Sequence, residues 1–383
     1  MSDTLRLAAV SQFLADRITA GDFPSAVYLV AARGRVVFAD ALGDAVRAPV
    51  HRPATLDTIF DLASLTKPFV TGLLSARRIE RGELTLDASV GHYLPDFAGS
   101  RHQAIAIRHL LTHTSGLPSW LPLYLITHGQ SERALEVIAE QALIASPGER
   151  VVYSDLGFIT LGILLEKVSG SPLAELARRE IFAPLNLQST GFSPDNARRG
   201  MIAACESAGN AYEHEMCREM NRAEAVAEDD SDFWRQETIW GEVHDGNAYF
   251  LGGAAGHAGL FSDARETLQL AEQFIANRTQ VLRSDTCRLF RTDMTTGLNE
   301  ARSLAWQLAA TPDSTAGDAL PPDSFGHLGF TGTSCWIDAA RERVFILLTN
   351  RTHARAFPFV NINSIRRTFH TLAANALERT ALA

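Results

Sequence analysis

The sequence predicts an α+β fold, in which an antiparallel β-sheet flanked by helices carries an all-helical subdomain inserted in its middle. Three observations predict it: β-rich runs gather toward both ends of the chain, the middle carries helical spacing, and no internal repeat is visible. With 383 residues, 46% of them hydrophobic and 21% charged, the chain can bury a sizeable core as one large domain or two closely packed subdomains.

Residues 4–20 come first, with Leu5, Leu7, Val10, Phe13, Leu14 and Ile18 near helical spacing. Ser25–Ala32 and Val36–Leu42 are β-rich runs around Arg33-Gly34-Arg35, a hairpin signal. A helix is expected from about Ser64 to Gly82, with Pro68 in its first turn, where a missing N–H does least harm. Residues 132–144 and 155–169 have helical spacing, and Pro147-Gly148 marks a turn between them. Within 209–240, Glu213, Glu215, Glu219, Glu224, Glu228, Asp229, Asp230 and Asp232 form an acidic stretch. It reads as a solvated insertion, either a plain surface loop or a lid. Pro312–Ser324 is a second loop, followed by β-rich runs at Ser334–Asp338 and Val344–Leu348 and an amphipathic helix over roughly 363–379. The sheet-bearing subdomain is therefore expected at about 1–75 plus 255–383, and the helical one at 76–254.

A formal net charge of −9 argues against a nucleic-acid-binding surface, which needs clustered Lys and Arg, and weakly against adhesion to an anionic membrane. Four scattered cysteines, Cys205, Cys217, Cys287 and Cys335, do not make a disulfide framework. Cys205 and Cys217 flank His214 without paired metal-ligand spacing, so plain thiols are expected and no metal. No apolar run reaches the ~18 residues of a membrane span, and the N-terminus shows no leader pattern. The expectation is a cytoplasmic protein with reduced thiols, or a periplasmic or secreted one if a signal peptide was removed.

The chemistry concentrates at Ser64-Leu65-Thr66-Lys67. Residues three apart on a helix share a face, so a Ser hydroxyl and a Lys amine at this spacing come within hydrogen-bonding reach. A serine hydroxyl needs a base beside it, and a lysine serves only when its amine is neutral, through burial or a neighbouring positive charge. Lys67 is accordingly expected neutral in the free enzyme. At a helix start the first N–H groups are free, so that of Ser64 can face an oxyanion. S-x-x-K alone is a weak signal that also fits an ordinary helix start. There is no G-x-S-x-G nucleophile elbow, and Gly252-Gly253-Ala254-Ala255-Gly256 fits no phosphate-binding loop.

The order Ser64-x-x-Lys67, Tyr153-Ser154-Asp155, His327-Leu328-Gly329 resembles the three-motif set of class C β-lactamases and penicillin-recognising enzymes, a family that includes carboxylesterases. Framing segments run in the same order: Ile107–Pro118, Pro147-Gly148, Pro184–Leu187, Gly241–Asp245, Gly256–Phe261 and Gly329–Ser334. The resemblance spans roughly residues 20 to 375. It implies a two-subdomain α+β fold with the active site in the cleft, and acyl transfer to water through Ser64 without metal or organic cofactor. Lys67 and Tyr153 would share the general-base work. The backbone N–H groups of Ser64 and Phe330 would form the oxyanion hole, and an edge strand bearing His327 would line one side of the cleft. Asp155, His327 and Gly329 would meet the substrate, a small ester or amide.

Two residues depart from that pattern. Asp155 stands where Asn is common, and its carboxylate either pairs with Lys67 or caps the following helix. His327 stands where β-lactamases carry Lys, which removes a permanent cation suited to a substrate carboxylate. Strong β-lactam hydrolysis is therefore not expected, and esters, or peptide-like substrates held by other groups, are favoured, with a carboxylesterase ahead of a D-amino-acid peptidase or penicillin-binding activity, and a β-lactamase third. A catalytically silent module that merely holds peptidoglycan fragments is the rival from another class. His244, Asp245 and His257 read as loop packing or a supporting network, and His113 and Ser115 as turn residues.

Overall fold

Arg33 and Gly34 both take positive φ, 50° and 73°, the geometry of a tight hairpin turn. They join β1 (Ser25–Ala32) to β2 (Arg35–Val46) in antiparallel register, Ala32 opposite Arg35. The structure is a computed structural model that describes residues 3–99, 102–219, 233–355 and 358–380. Its main sheet has seven strands in the order β3-β2-β1-β10-β9-β8-β7. These add β3 (Arg52–Pro53), β7 (Gln307–Leu308), β8 (Phe325–Leu328), β9 (Ser334–Asp338) and β10 (Arg343–Thr349). The two termini meet at the centre, where β1 pairs with β10 from Ala26–Thr349 to Ala32–Arg343.

β1 is apolar on both faces because both are covered. Ala26, Tyr28 and Val30 pack in one core cluster with Phe369 and Leu377, whereas Val27, Leu29 and Ala31 point into the larger one. The first face is covered by α1 (Asp3–Thr19) and the C-terminal helix Asn363–Thr380. On the second lie the helix Ala264–Glu272 and the helical body. That larger core includes Leu29 and Ile346 from the sheet and Leu110, Leu161 and Leu176 from the helices, so both halves share one interior. A small second sheet, β4 (Phe60–Asp61), β6 (Leu260–Ser262) and β5 (Gly191–Phe192), ties the start of the catalytic helix to the later loops.

The helix expected over 64–82 is helical but not uniformly α. A 3₁₀ turn at Ala63–Leu65 leads into a π-helical turn at Lys67–Gly72 and then α2 (Leu73–Glu80). Pro68 has no N–H to give the Ser64 carbonyl, so the regular ladder lacks a bond at this point. The expected helices at 132–144 and 155–169 appear as α3 (Ala134–Glu140), which is shorter, and α4 (Asp155–Ser169).

The acidic stretch departs from the expectation of a solvated insertion at one acidic residue. Its first part is the helix α5 (Ala211–Glu219), and Glu213 is buried there. Glu224, Glu228, Asp229, Asp230 and Asp232 lie outside the described residues. β8 is also not a simple edge strand. β7 covers Phe325 and Gly326, and only the His327–Leu328 end runs past it. That end is the one that reaches the cleft.

Candidate active site

Ser64 sits on a turn clamped from three directions. Ala63 just before it has φ 48°, a left-handed conformation costly for a residue with a Cβ. Buried Asp61 holds it there: one carboxylate oxygen accepts from the Ala63 N–H at 2.8 Å, the other from the His244 N–H at 2.8 Å. Thr331 and Thr333, after β8, donate their hydroxyls to the Asp61 and Leu62 carbonyls at 2.7 and 3.0 Å. Burial raises the Asp61 carboxyl against the two N–H bonds that lower it. Ser64 itself stays partly open to the cleft while its neighbours Ala63, Leu65 and Lys67 are buried.

Lys67 is fully buried, and its ammonium donates to Ser64 Oγ at 2.8 Å and to the His257 carbonyl at 3.1 Å. Asp155 Oδ1 is 2.7 Å away, the only ion pair Lys67 makes among the described residues. Of the two readings of Asp155, the structure selects the ion pair. The helix cap is Ser154, whose Oγ accepts from the Gly157 N–H at 3.2 Å. Burial drives the Lys67 amine down, but Asp155 and Tyr153 outweigh it and the net direction is up. The expectation of a neutral resting Lys67 is thereby corrected: a carboxylate in contact stabilises the ammonium more than burial destabilises it.

Tyr153 arrives from the turn before α4, its hydroxyl bonded to both Lys67 and Ser64. Burial raises its phenol and the Lys67 charge only partly offsets this, so at rest it is the neutral hydroxyl. His113, with φ 58°, backs the ring: its imidazole stacks on Tyr153 at 4.4 Å and its Nδ1 accepts from the Ser154 N–H at 3.0 Å. Burial, with Arg302 and Lys67 nearby, lowers the His113 imidazole well below its usual range. The turn histidine therefore sets the position of the second motif.

The third motif closes the other side. His327 is 4% exposed, with Nδ1 at 2.9 Å from the Leu328 carbonyl, which places the proton on Nδ1 and leaves Nε2 as a buried acceptor without a partner. Burial, then the Lys67 and Arg302 charges, hold it well below the usual histidine range, so it is neutral. Gly329 has a packing role, since a Cβ there would lie 2.0 Å from Thr333 Oγ1 and 2.5 Å from the Leu62 carbonyl. Its own carbonyl accepts from Arg366 at 2.6 Å. The N–H groups of Ser64 and Phe330 enter no backbone hydrogen bond among the described residues, and both residues line the cavity at Ser64.

The chain matches the family described as Beta-lactamase over residues 10–366. It belongs to that family. It is 30% identical to a putative D-alanyl-D-alanine carboxypeptidase of Escherichia coli (strain K12), over 91% of this chain and 83% of that protein. It is also 30% identical to an N-acetylmuramyl-L-alanine amidase of Bacillus subtilis (strain 168), over 91% of this chain and 82% of that one. Among solved structures, EstCE1, a hydrolase with promiscuous acyltransferase activity, superposes with a TM-score of 0.71 at 24% identity, covering 98% of both chains. A class C β-lactamase superposes at 0.74 with 17% identity, covering 99% of both. This member of the Beta-lactamase family is a serine hydrolase of the β-lactamase/transpeptidase fold.

Two compartments of this family member meet at Ser64. One, about 470 Å³, is lined by Arg302, Arg351 and Arg366 together with Tyr153, His327 and Asn363. Arg302 NH1 and Arg366 Nε are themselves buried and have no hydrogen-bond partner among the described residues. The other, about 170 Å³, is walled by Trp120, Tyr212, Met216 and Phe330, with Asp155, Glu213 and Asp245 behind. Its carboxylates are spoken for: Asp155 by Lys67, and Asp245 by His257 Nε2 at 2.8 Å, which with burial opposing it leaves Asp245 well below the usual range. Glu213 accepts from Tyr124 Oη and the Gly246 N–H, and burial beside Asp245 raises it to about 7. The 244–257 loops are thus a supporting network that also presents the His257 carbonyl to Lys67.

The guanidinium lining brings to the cleft, from other segments of the chain, the cationic groups that position 327 lacks. Sequence reasoning missed these arginines and the aromatic wall. One signal existed for Arg366, which falls among Ile362, Ile365 and Phe369 on the buried stripe of the closing helix. Nothing local marks Arg302.

Proposed function

We propose that this chain hydrolyses carboxylic esters or amides through an acyl-enzyme on Ser64, with Lys67 and Tyr153 moving the protons and the Ser64 and Phe330 N–H groups receiving the oxyanion. One observation carries the reading: Ser64 Oγ lies 2.8 Å from the amine of a fully buried lysine, and one tyrosine hydroxyl is bonded to both. Attack forms the Oγ–C bond as the carbonyl π pair moves to oxygen, at a position the two free N–H groups flank. Collapse expels the alcohol or amine, and water then releases the acid.

The arginine-lined compartment supports substrates with a carboxylate near the scissile bond, placing peptides ending in a D-amino acid ahead of neutral short esters. This reading agrees in class with the carboxypeptidase name of the relative. Cys205, Cys287 and Cys335 are buried thiols that form no disulfide among the described residues, which supports a reducing, cytoplasmic setting that cell fractionation tests. The experiment for the site is labelling by a fluorophosphonate probe with peptide mapping, in wild type and Ser64→Ala. A single adduct on Ser64, and loss of both adduct and turnover in a folded variant, is the expected result. An adduct on another serine overturns the assignment, and no adduct at all supports the silent binding module. A panel of D-Ala-D-Ala peptides, p-nitrophenyl acetate and nitrocefin then ranks the substrates.

A further inference from the structure

At rest neither Lys67 nor Tyr153 is unprotonated, and neither is a free base beside Ser64. Lys67 donates to Ser64 Oγ and the His257 carbonyl at 2.8 and 3.1 Å and stands in ion-pair contact with Asp155 Oδ1 at 2.7 Å, so its ammonium has no lone pair directed at the nucleophile. Tyr153 carries its own proton. Asp245 is committed to His257 and to the Ala248 N–H at the cap of a short helix. The charged and titratable groups around Lys67 are completed by His113 behind the tyrosine, His327 on β8 and Arg302 over the Tyr153 ring at 5.6 Å, none of them an anion. Asp155 is the one carboxylate among the described residues in direct contact with the Lys67 amine.

We infer that Asp155 is the site to which the Ser64 proton is delivered, with Tyr153 and Lys67 as the relay. This rests on the hydrolase reading above. As Oγ bonds to the carbonyl carbon, one Nζ proton passes to Asp155 Oδ1, the Nζ lone pair so freed takes the Tyr153 proton, and the Tyr153 oxygen takes the Oγ proton, in one concerted shift. Lys67 begins and ends as an ammonium, Asp155 ends as the neutral acid, and the only new charge is the oxyanion. Collapse runs the relay backwards: the C–O or C–N bond breaks, its electron pair stays on the leaving atom, and that atom takes the proton from Tyr153, which is refilled through Lys67 from Asp155. The arrangement removes any need for a neutral lysine. Asp155 acts through Lys67 and is a positioning and proton-storing residue. An asparagine here cannot take the proton, and a site so built must discharge its lysine before it can react.

The test is the pH profile of kcat/KM, with p-nitrophenyl acetate as probe, for wild type, Asp155→Asn and Asp155→Glu. Without its counter-charge, buried Lys67 must lose a proton to serve as base, so the acid limb of Asp155→Asn should move at least about one pH unit upward, with activity recovering at alkaline pH. Asp155→Glu should keep the limb where wild type has it, at a lower plateau. Coincident limbs in wild type and Asp155→Asn, or an equal loss at every pH, overturn the inference. Should Asp155→Asn not fold by circular dichroism, the acylation burst of wild type in mixed H₂O and D₂O still decides. A relay of several protons bends the plot of rate against deuterium fraction, and a straight line overturns it. Failure of the hydrolase reading itself is separate, since wild type would then show neither burst nor adduct on Ser64.

Discussion

The two walls of the cleft handle charge in opposite ways. On the helical wall, Asp155 and Asp245 each meet a basic group within 2.8 Å, Lys67 or His257, and Glu213 is held toward its neutral form by burial. On the sheet wall, Arg302 is paired on one side by Glu300, yet its NH1 and the Nε of Arg366 remain buried without a hydrogen-bond partner among the described residues. Buried polar groups left unsatisfied are costly and tend to mark places where a ligand completes them. One wall is thus internally balanced, while the other lines its cavity with guanidinium groups.

Removing the seam between the walls should have the largest effect. Tyr153→Phe deletes the hydroxyl that links Ser64 to Lys67, and kcat/KM is expected to fall about 10²–10⁴-fold for all substrates alike, the usual weight of a general acid–base group. A loss confined to one substrate class would show that Tyr153 positions substrate rather than protons.

Arg302→Met sharpens the contrast on the sheet wall. Glu300 is partly exposed and can be solvated when its partner is removed. Peptides with a free terminal carboxylate should lose about 10–100-fold in kcat/KM, one to two powers of ten at about 1.4 kcal/mol each, while p-nitrophenyl acetate changes little. Equal losses for both would remove the anion role of this wall.

The smallest effect belongs to the helical wall and appears in stability. Burial raises Glu213 from 4.5 to about 7, so the folded protein binds this proton more tightly than the unfolded chain. The stabilisation is complete below about 4.5 and is lost as pH rises through about 7. His113 and His327, held low, act in the reverse sense, losing stability as pH falls through the ordinary histidine range. The informative quantity is therefore the Tm difference between wild type and Glu213→Gln, followed from pH 5 to pH 8. Wild type should lose a few degrees relative to the variant across that interval. A difference constant with pH would mean that Glu213 is not held neutral by its surroundings.

Much of the scaffold was legible along the chain because its causes are local. β-rich runs marked β1, β9 and β10, helical spacing marked α4 and the closing helix, and Pro147-Gly148 marked the turn before Tyr153. Ser64 and Lys67 are likewise a local pair, three residues apart on one helical path, and their 2.8 Å contact follows from that spacing. What the chain order could not reveal is electrostatic and non-local. The charge on Lys67 depends on Asp155, brought to 2.7 Å by the packing of α4 against the helix that starts at Ser64. The cationic groups that position 327 lacks come from Arg302 and Arg366, distant in sequence and brought to one cavity by the fold. Glu213, one acid among many in an acidic stretch, is distinguished only by being buried against Tyr124 and Gly246. Hydrophobic periodicity is a property of neighbours in sequence, so the sequence alone determined the strands, the helices and the Ser-Lys pair. Protonation depends on through-space distance and on how much water the fold excludes, and only the tertiary structure decided those.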